Sequence, residues 1–292
     1  MWSPILKIEL LKEGRNIRLP LTIIFYNAIL AFVMLLFMVF NAESFQEGYY
    51  YNTSSYLYQF LIISSIQIGV IFFVIPFYVT GMHSGEKESC MKDVLEVIPG
   101  LSNQYIIAKM LLVILVSGMI FISALPVTSL SCVYSGIGFA KIIRLGIMVL
   151  VFSFWSGAIT IFFHTLRTQL KWPVVAAMLV QCVFMFGTIM GMEIIRNGAM
   201  LLTDAGTLPV EASWLCLFLL ILNPLASYMG YYGNLTGNSG LMTVLCGHFG
   251  INGANKLFSL FFYKISTLMC LLIGCIFLFL ATRNLGQKNK RG

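Results

Sequence analysis

Charge is what this sequence has least of. Asp, Glu, Lys and Arg together make up 10% of its 292 residues, against about 25% in a soluble domain. A surface so poor in charge is not wetted by water alone, so most of the chain must be solvated by lipid. Acids are the scarcer sign, 11 against 18 bases. The excess of base does not indicate nucleic acid as a partner. The bases stand at the ends of apolar runs and do not interleave with exposed aromatics.

Catalytic and metal motifs are missing as well. A GxxxxGK[ST] run, whose backbone amides and lysine would hold phosphates, does not occur. ATP hydrolysis is therefore not expected of this chain. HExxH is also missing, which argues against an intramembrane metalloprotease. The cysteines Cys90, Cys132, Cys182, Cys216, Cys246, Cys270 and Cys275 show neither CxxC nor Cys/His spacing, so no metal site is expected. Cys216 and Cys246 are a candidate disulfide pair on the outer side that spacing alone neither makes nor excludes. Gly237-Asn238-Ser239-Gly240 with His248 has the ingredients of a serine nucleophile and its base. It lies in a polar, glycine-rich loop, where such a run is ordinary turn chemistry. The chain is expected not to be an enzyme.

Carboxylates and histidines deep in the apolar runs, which an ion-driven transporter needs, are lacking too. Glu193 stands near the end of its run, three residues before Arg196, which predicts an interfacial salt bridge. The polar groups left inside the runs are neutral: Asn27, Ser64, Ser65, Gln67, Ser153, Ser156, Thr160 and Gln181. Such residues most often hydrogen-bond between packed helices.

What the sequence does have is length in its apolar runs. Six of them, at about 20–40, 57–80, 105–134, 142–163, 173–195 and 257–282, each suffice to cross about 30 Å of hydrocarbon. The expected fold is an all-α polytopic membrane protein with a single transmembrane domain over residues 1–292. Residues 2–19, with Ser3 as N-cap and Pro4 at the first helical position, predict an interfacial helix. Its bases Lys7, Lys12, Arg15 and Arg18 face headgroups. Pro126 is expected to kink the third run or begin an outer segment. Between Arg196 and Asn255 the chain is harder to read. Trp214–Leu222 is too short to cross, and Asn223-Pro224 breaks it. A re-entrant hairpin or interfacial pair is expected there.

Most of the bases fall on one face if both termini are cytoplasmic, the orientation expected of a multi-pass protein of the plasma membrane. Lys141 and Arg144, at the outer start of the fourth run, go against this bias.

The stretch between the second and third runs is the most polar in the chain. Residues 83–109 carry Glu86, Lys87, Glu88, Lys92, Asp93, Glu96 and Lys109. Ser84 caps a helix start, Glu86 sits in the first turn, and Pro99-Gly100 ends the helix. Cys90, Met91, Val94, Leu95 and Ile98 line one face of it. An amphipathic helix outside the bilayer must bury that face on lipid or in the groove of a soluble partner. Four acids against two lysines favour a protein groove.

The basic N-terminal helix, six runs, the GEKES...DVLEVIPGLSNQYIIAKML connector and NPLASYMGYYG before the last run together resemble the permease subunits of ABC-2 (exporter-type) ABC transporters. Gly85, Glu86, Leu95, Pro99, Ser102 and Lys109 take the places of that family's connector pattern. The resemblance implies an ATP-driven exporter working as a pair of permeases, with a second copy or a sister permease, above separately encoded ATPase subunits. Those subunits, not this chain, would bind ATP and magnesium. It assigns coupling to Gly85, Glu86, Met91, Val94, Leu95 and Ile98. It also puts the substrate path along the second and fifth runs, where Ser65, Gln67, Gln181 and Met185 are the candidates. A non-transporting membrane sensor or assembly scaffold is the alternative.

Overall fold

The computed structural model describes residues 6–7, 10–11, 14–46, 53–84, 101–166, 171–202, 210–236 and 256–288. All six expected runs are helices long and apolar enough to cross a membrane, and no strand occurs among the described residues. The protein is an all-α polytopic membrane protein. Its helices are α1 (Arg18–Gln46), α2 (Thr53–Ser84), α3 (Leu101–Tyr134), α4 (Ala140–Leu166), α5 (Lys171–Cys182), α6 (Thr188–Leu202), α7 (Val210–Leu222), α8 (Pro224–Thr236) and α9 (Lys256–Lys288). A single π turn, Val183–Gly187, joins α5 to α6 into one crossing.

The helices outrun the apolar runs that predicted them. Hydropathy marks where lipid ends, whereas a helix ends where its terminal amides and carbonyls find other partners. At α1 that partner is Asn16, whose Oδ1 accepts the Arg18 N–H at 3.1 Å. Of the interfacial helix expected over residues 2–19, Leu6, Lys7, Leu10, Leu11 and Gly14 are helical, but Arg15, Asn16 and Ile17 are not, and Arg18 and Leu19 already belong to α1. Pro126 neither ends nor divides α3, which runs through it to Tyr134. The expected outer segment does not exist, since membrane helices accept proline where neighbouring groups satisfy the freed backbone.

The described helices form two compact units. The first comprises α1–α4, the start of α5 to Ala177 and the end of α9 from Gly274. Its most enclosed helix is α4. Ser153, Ser156, Gly157, Ala158 and Thr160 are buried there, small side chains that let helix backbones approach. An added Cβ at Gly157 would lie 2.9 Å from Val113 Cγ1, so α3 uses the missing side chain as a seat. Phe72 of α2 meets Phe152 and Trp155 of α4 with ring centroids at 5.5 and 5.7 Å. On the other flank Tyr26, Leu30 and Met34 of α1 pack on Ile63, Val116, Ile120 and Ala124. The opposite face of α1, with Phe25, Phe32 and Phe40, stays exposed, as a lipid-facing helix requires. Between α3 and α4 the chain reverses within Ser135–Phe139, where Gly136 takes a φ of 68° that disfavours any side chain.

The second unit, Met178–Ile273, holds the rest of α5, the π turn, α6–α8 and the first half of α9. Met192, Cys216, Leu220, Ala226 and Phe262 form its core. The pair α7 and α8 turns by 89° at Asn223, so the broken segment expected from Asn223-Pro224 is present. Glu193 and Arg196 form the expected salt bridge at 3.3 Å.

Candidate functional site

The buried polar groups are where a membrane protein of this composition can do chemistry, because each costs free energy unless it has a partner. In the second unit they converge on Asn223, which is fully buried. A π turn leaves its carbonyls without the usual amides four residues on. Three of them are nonetheless satisfied. The Thr188 N–H donates to Val183 O, the Thr188 hydroxyl donates to Phe184 O at 2.9 Å, and Asn223 Nδ2 donates to Met185 O at 2.8 Å. The same Nδ2 donates to Thr188 Oγ1 at 2.9 Å.

The other end of the Asn223 amide builds a helix start. Its Oδ1 accepts the N–H groups of Leu225 and Ala226 at 2.7 and 3.3 Å, with Pro224 at the first helical position. Ser266 of α9 donates to Ile221 O at 2.8 Å, closing the end of α7. Ser227 lies 2.9 Å from the Thr267 hydroxyl. A chain break inside a membrane protein is tolerable where protein covers it and its backbone groups find partners, and at this node Asn223, Thr188 and Ser266 supply several of those partners.

Met185 therefore belongs to the node through its carbonyl, and its side chain is buried. Gln181, one turn earlier, is buried as well. The node itself, Thr188 with Asn223, was not anticipated as a site. Its signal was available in the Asn-Pro pair, which marks a helix cap as much as a break.

In the first unit the candidates Ser65 and Gln67 lie on α2, Ser65 half-buried and Gln67 buried. Gln67 sits beside the Tyr26 hydroxyl. Neither of its amide atoms reaches hydrogen-bond geometry among the described residues. Two helical turns before it is Gln59, fully buried, with both amide atoms in the same condition. Sequence reasoning missed Gln59, although a second amide eight residues from Gln67 shares its face of a helix. Ser65 and Gln67 fall in one unit and Gln181 and Met185 in the other.

Not all of the neutral polar residues bridge helices as expected. Asn27 does, donating to Ser123 Oγ of α3 at 3.0 Å. Ser64, Ser153 and Thr160 instead donate to carbonyls four residues back in their own helices, at 2.7, 2.7 and 2.8 Å. A hydroxyl in hydrocarbon is satisfied most cheaply by its own helix. Cys216, weighed as half of a disulfide, is a buried free thiol whose Sγ faces the Met192 carbonyl at 3.9 Å. Cys246 lies outside the described residues. Those residues also hold no group of three or more His, Cys, Asp or Glu that would ligate a metal.

The coupling residues Gly85, Glu86, Met91, Val94, Leu95 and Ile98 all lie outside the described residues. The helix ends that flank them are described. There Thr80 Oγ1 of α2 meets His164 Nε2 of α4 at 2.9 Å. Further into α3, Lys109 is fully buried with its Nζ 5.4 Å from the centre of the Tyr105 ring, a cation–π contact. No protein-family model and no curated protein matches this chain.

Proposed function

We propose that this chain is the membrane-spanning permease subunit of an ATP-driven exporter of the ABC-2 type, working in the plasma membrane as one of a pair. Residues 85–100 then couple it to a separate ATPase, which binds the ATP and magnesium. The observation that supports this most is the length of the two helices flanking the connector. α2 has 32 residues and α3 has 34. At 1.5 Å per residue they extend about 48 and 51 Å, well beyond the ~30 Å of hydrocarbon. The first turn of α3, Leu101-Ser102-Asn103-Gln104, is polar, as befits a helix that begins among headgroups. On this reading residues 85–100 meet the soluble subunit at the membrane face where the second span ends at Gly81 and the third begins at Asn103.

The interior supports an engine housed elsewhere. The described spans bury amides, hydroxyls and thiols, with Lys109 as the fully buried charged side chain among the described residues, so a carboxylate relay for protons or sodium is not laid out along these described helices. A buried amide with no hydrogen-bond partner among the described residues, at Gln59, suits a path that water or a polar part of a substrate enters during the cycle.

Co-purification of the ATPase with tagged chain, wild type against Leu95→Asp, tests the assignment. Seating Leu95 in a groove buries about 2 to 3 kcal/mol of apolar surface, and a buried carboxylate without a partner costs more than that is worth. The variant should lose the ATPase while still inserting, since the change lies outside the bilayer. Retention of a fully coupled ATPase by Leu95→Asp would overturn the reading.

A further inference from the structure

Between the start of α1 and the end of α2, within the first unit, lies an open cleft of about 590 Å³. One wall is apolar, made by Phe73, Val74 and Phe77 of α2. The rim is polar, made by Arg18 and Thr22 of α1 with Asn16 and Tyr78. We infer that this cleft is a binding site for an anionic phospholipid, with the lipid phosphate against the Arg18 guanidinium and an acyl chain along Phe73 and Phe77.

The depth of the cleft argues for a lipid. Arg18 opens the first apolar span and Gly81 closes the second, and the two meet, since a Cβ placed on Gly81 would lie 3.7 Å from Arg18 Nη1. Both ends belong to one face of the membrane, so the rim lies at headgroup level and the apolar wall lies below it in the acyl region. Phe73 and Phe77, four residues apart on one helical face, are 65% and 61% exposed and offer aromatic surface to a chain running parallel to α2.

The chemistry of the rim argues for an anion. Arg18 makes no salt bridge among the described residues. Its backbone is already committed, the N–H to Asn16 Oδ1 at 3.1 Å and the carbonyl to the Thr22 hydroxyl at 2.8 Å. The helix end is thus fixed and the guanidinium is left to bind, in a planar fork that matches a phosphate. The volume is in the range of sites that take small organic ligands. The inference is independent of transport, because it needs only that α1 and α2 cross the bilayer.

The test is lipid retention. The full chain is reconstituted in nanodiscs of phosphatidylcholine with a minority of phosphatidylglycerol, released, and examined by native mass spectrometry. Wild type should keep phosphatidylglycerol in preference to phosphatidylcholine. Arg18→Ala should reduce that retention about fivefold, the worth of one basic side chain at an anionic membrane surface. Gly81→Phe, which fills the cleft and keeps the arginine, should reduce it as well, so the answer does not hang on one variant's folding. Inorganic phosphate added in excess should not displace the lipid. Unchanged retention in both variants, or displacement by free phosphate, would overturn the assignment.

Discussion

Asn223 shows how much one residue can be asked to do inside a membrane. Its single amide tops up a π turn, caps α8 and anchors Thr188. Asn223→Ala would leave buried carbonyls and amides unanswered at about 1 to 3 kcal/mol per group in water-soluble proteins, and less in bilayers, where such bonds average about 0.6 kcal/mol. A net loss of about 2 kcal/mol is expected, visible as a fall in Tm of roughly 4 to 8 °C for a chain of this size. Thermal unfolding in detergent measures it, and an unchanged Tm would mean that the node is ornamental. Gln59 is the opposite case, an amide buried without a partner among the described residues. Gln59→Leu should hold or raise Tm, because it removes both unanswered groups at similar volume. If the amide lines a path, ATP hydrolysis by the reconstituted complex should change even so. A variant with higher Tm and unaltered hydrolysis would take Gln59 out of the path.

At the level of elements, the six crossings were legible because lipid imposes one requirement, about twenty apolar residues, that a sequence displays openly. Their ends were not. α1 begins at Arg18 because Asn16 accepts its amide, and α3 passes through Pro126, neither of which hydropathy encodes. The break at Asn223-Pro224 was legible from its residue types. What it packs against was not, because the π turn that receives it carries no signature in Val183–Gly187. Of the candidate path, Met185 was found through its position in the fifth run, while Gln59 was not singled out. The close seating of α3 on α4 is a matter of one missing Cβ. Gly157→Ala would press a methyl group to 2.9 Å from Val113 Cγ1 and force α3 outward at about 1 to 3 kcal/mol. A denaturation series in mild detergent should show that loss, and an Ala variant as stable as wild type would mean that the two helices are freer than their packing implies.

For the molecule as a whole, the orientation proposed here is directly testable. Cysteine placed at Ser44 should react with an impermeant thiol reagent added outside intact cells, and cysteine at Gly292 should not. Labelling at 292 would require an odd number of crossings, with the bent pair α7 and α8 as the seventh. The same orientation gives meaning to the short reversal after α3. Cys132 Sγ donates to Ile137 O at 2.9 Å, and the Ile137 N–H closes back on Cys132 O at 3.1 Å. With so little chain between them, α3 and α4 have no loop to thread through a translocon one after the other. On the proposed orientation they are expected to enter the bilayer as a single hairpin, with Lys141 and Arg144 carried across as its passengers. Their place on the far side would then be set by the order of insertion, and a nascent chain released before Phe163 emerges would leave α3 to choose its own direction.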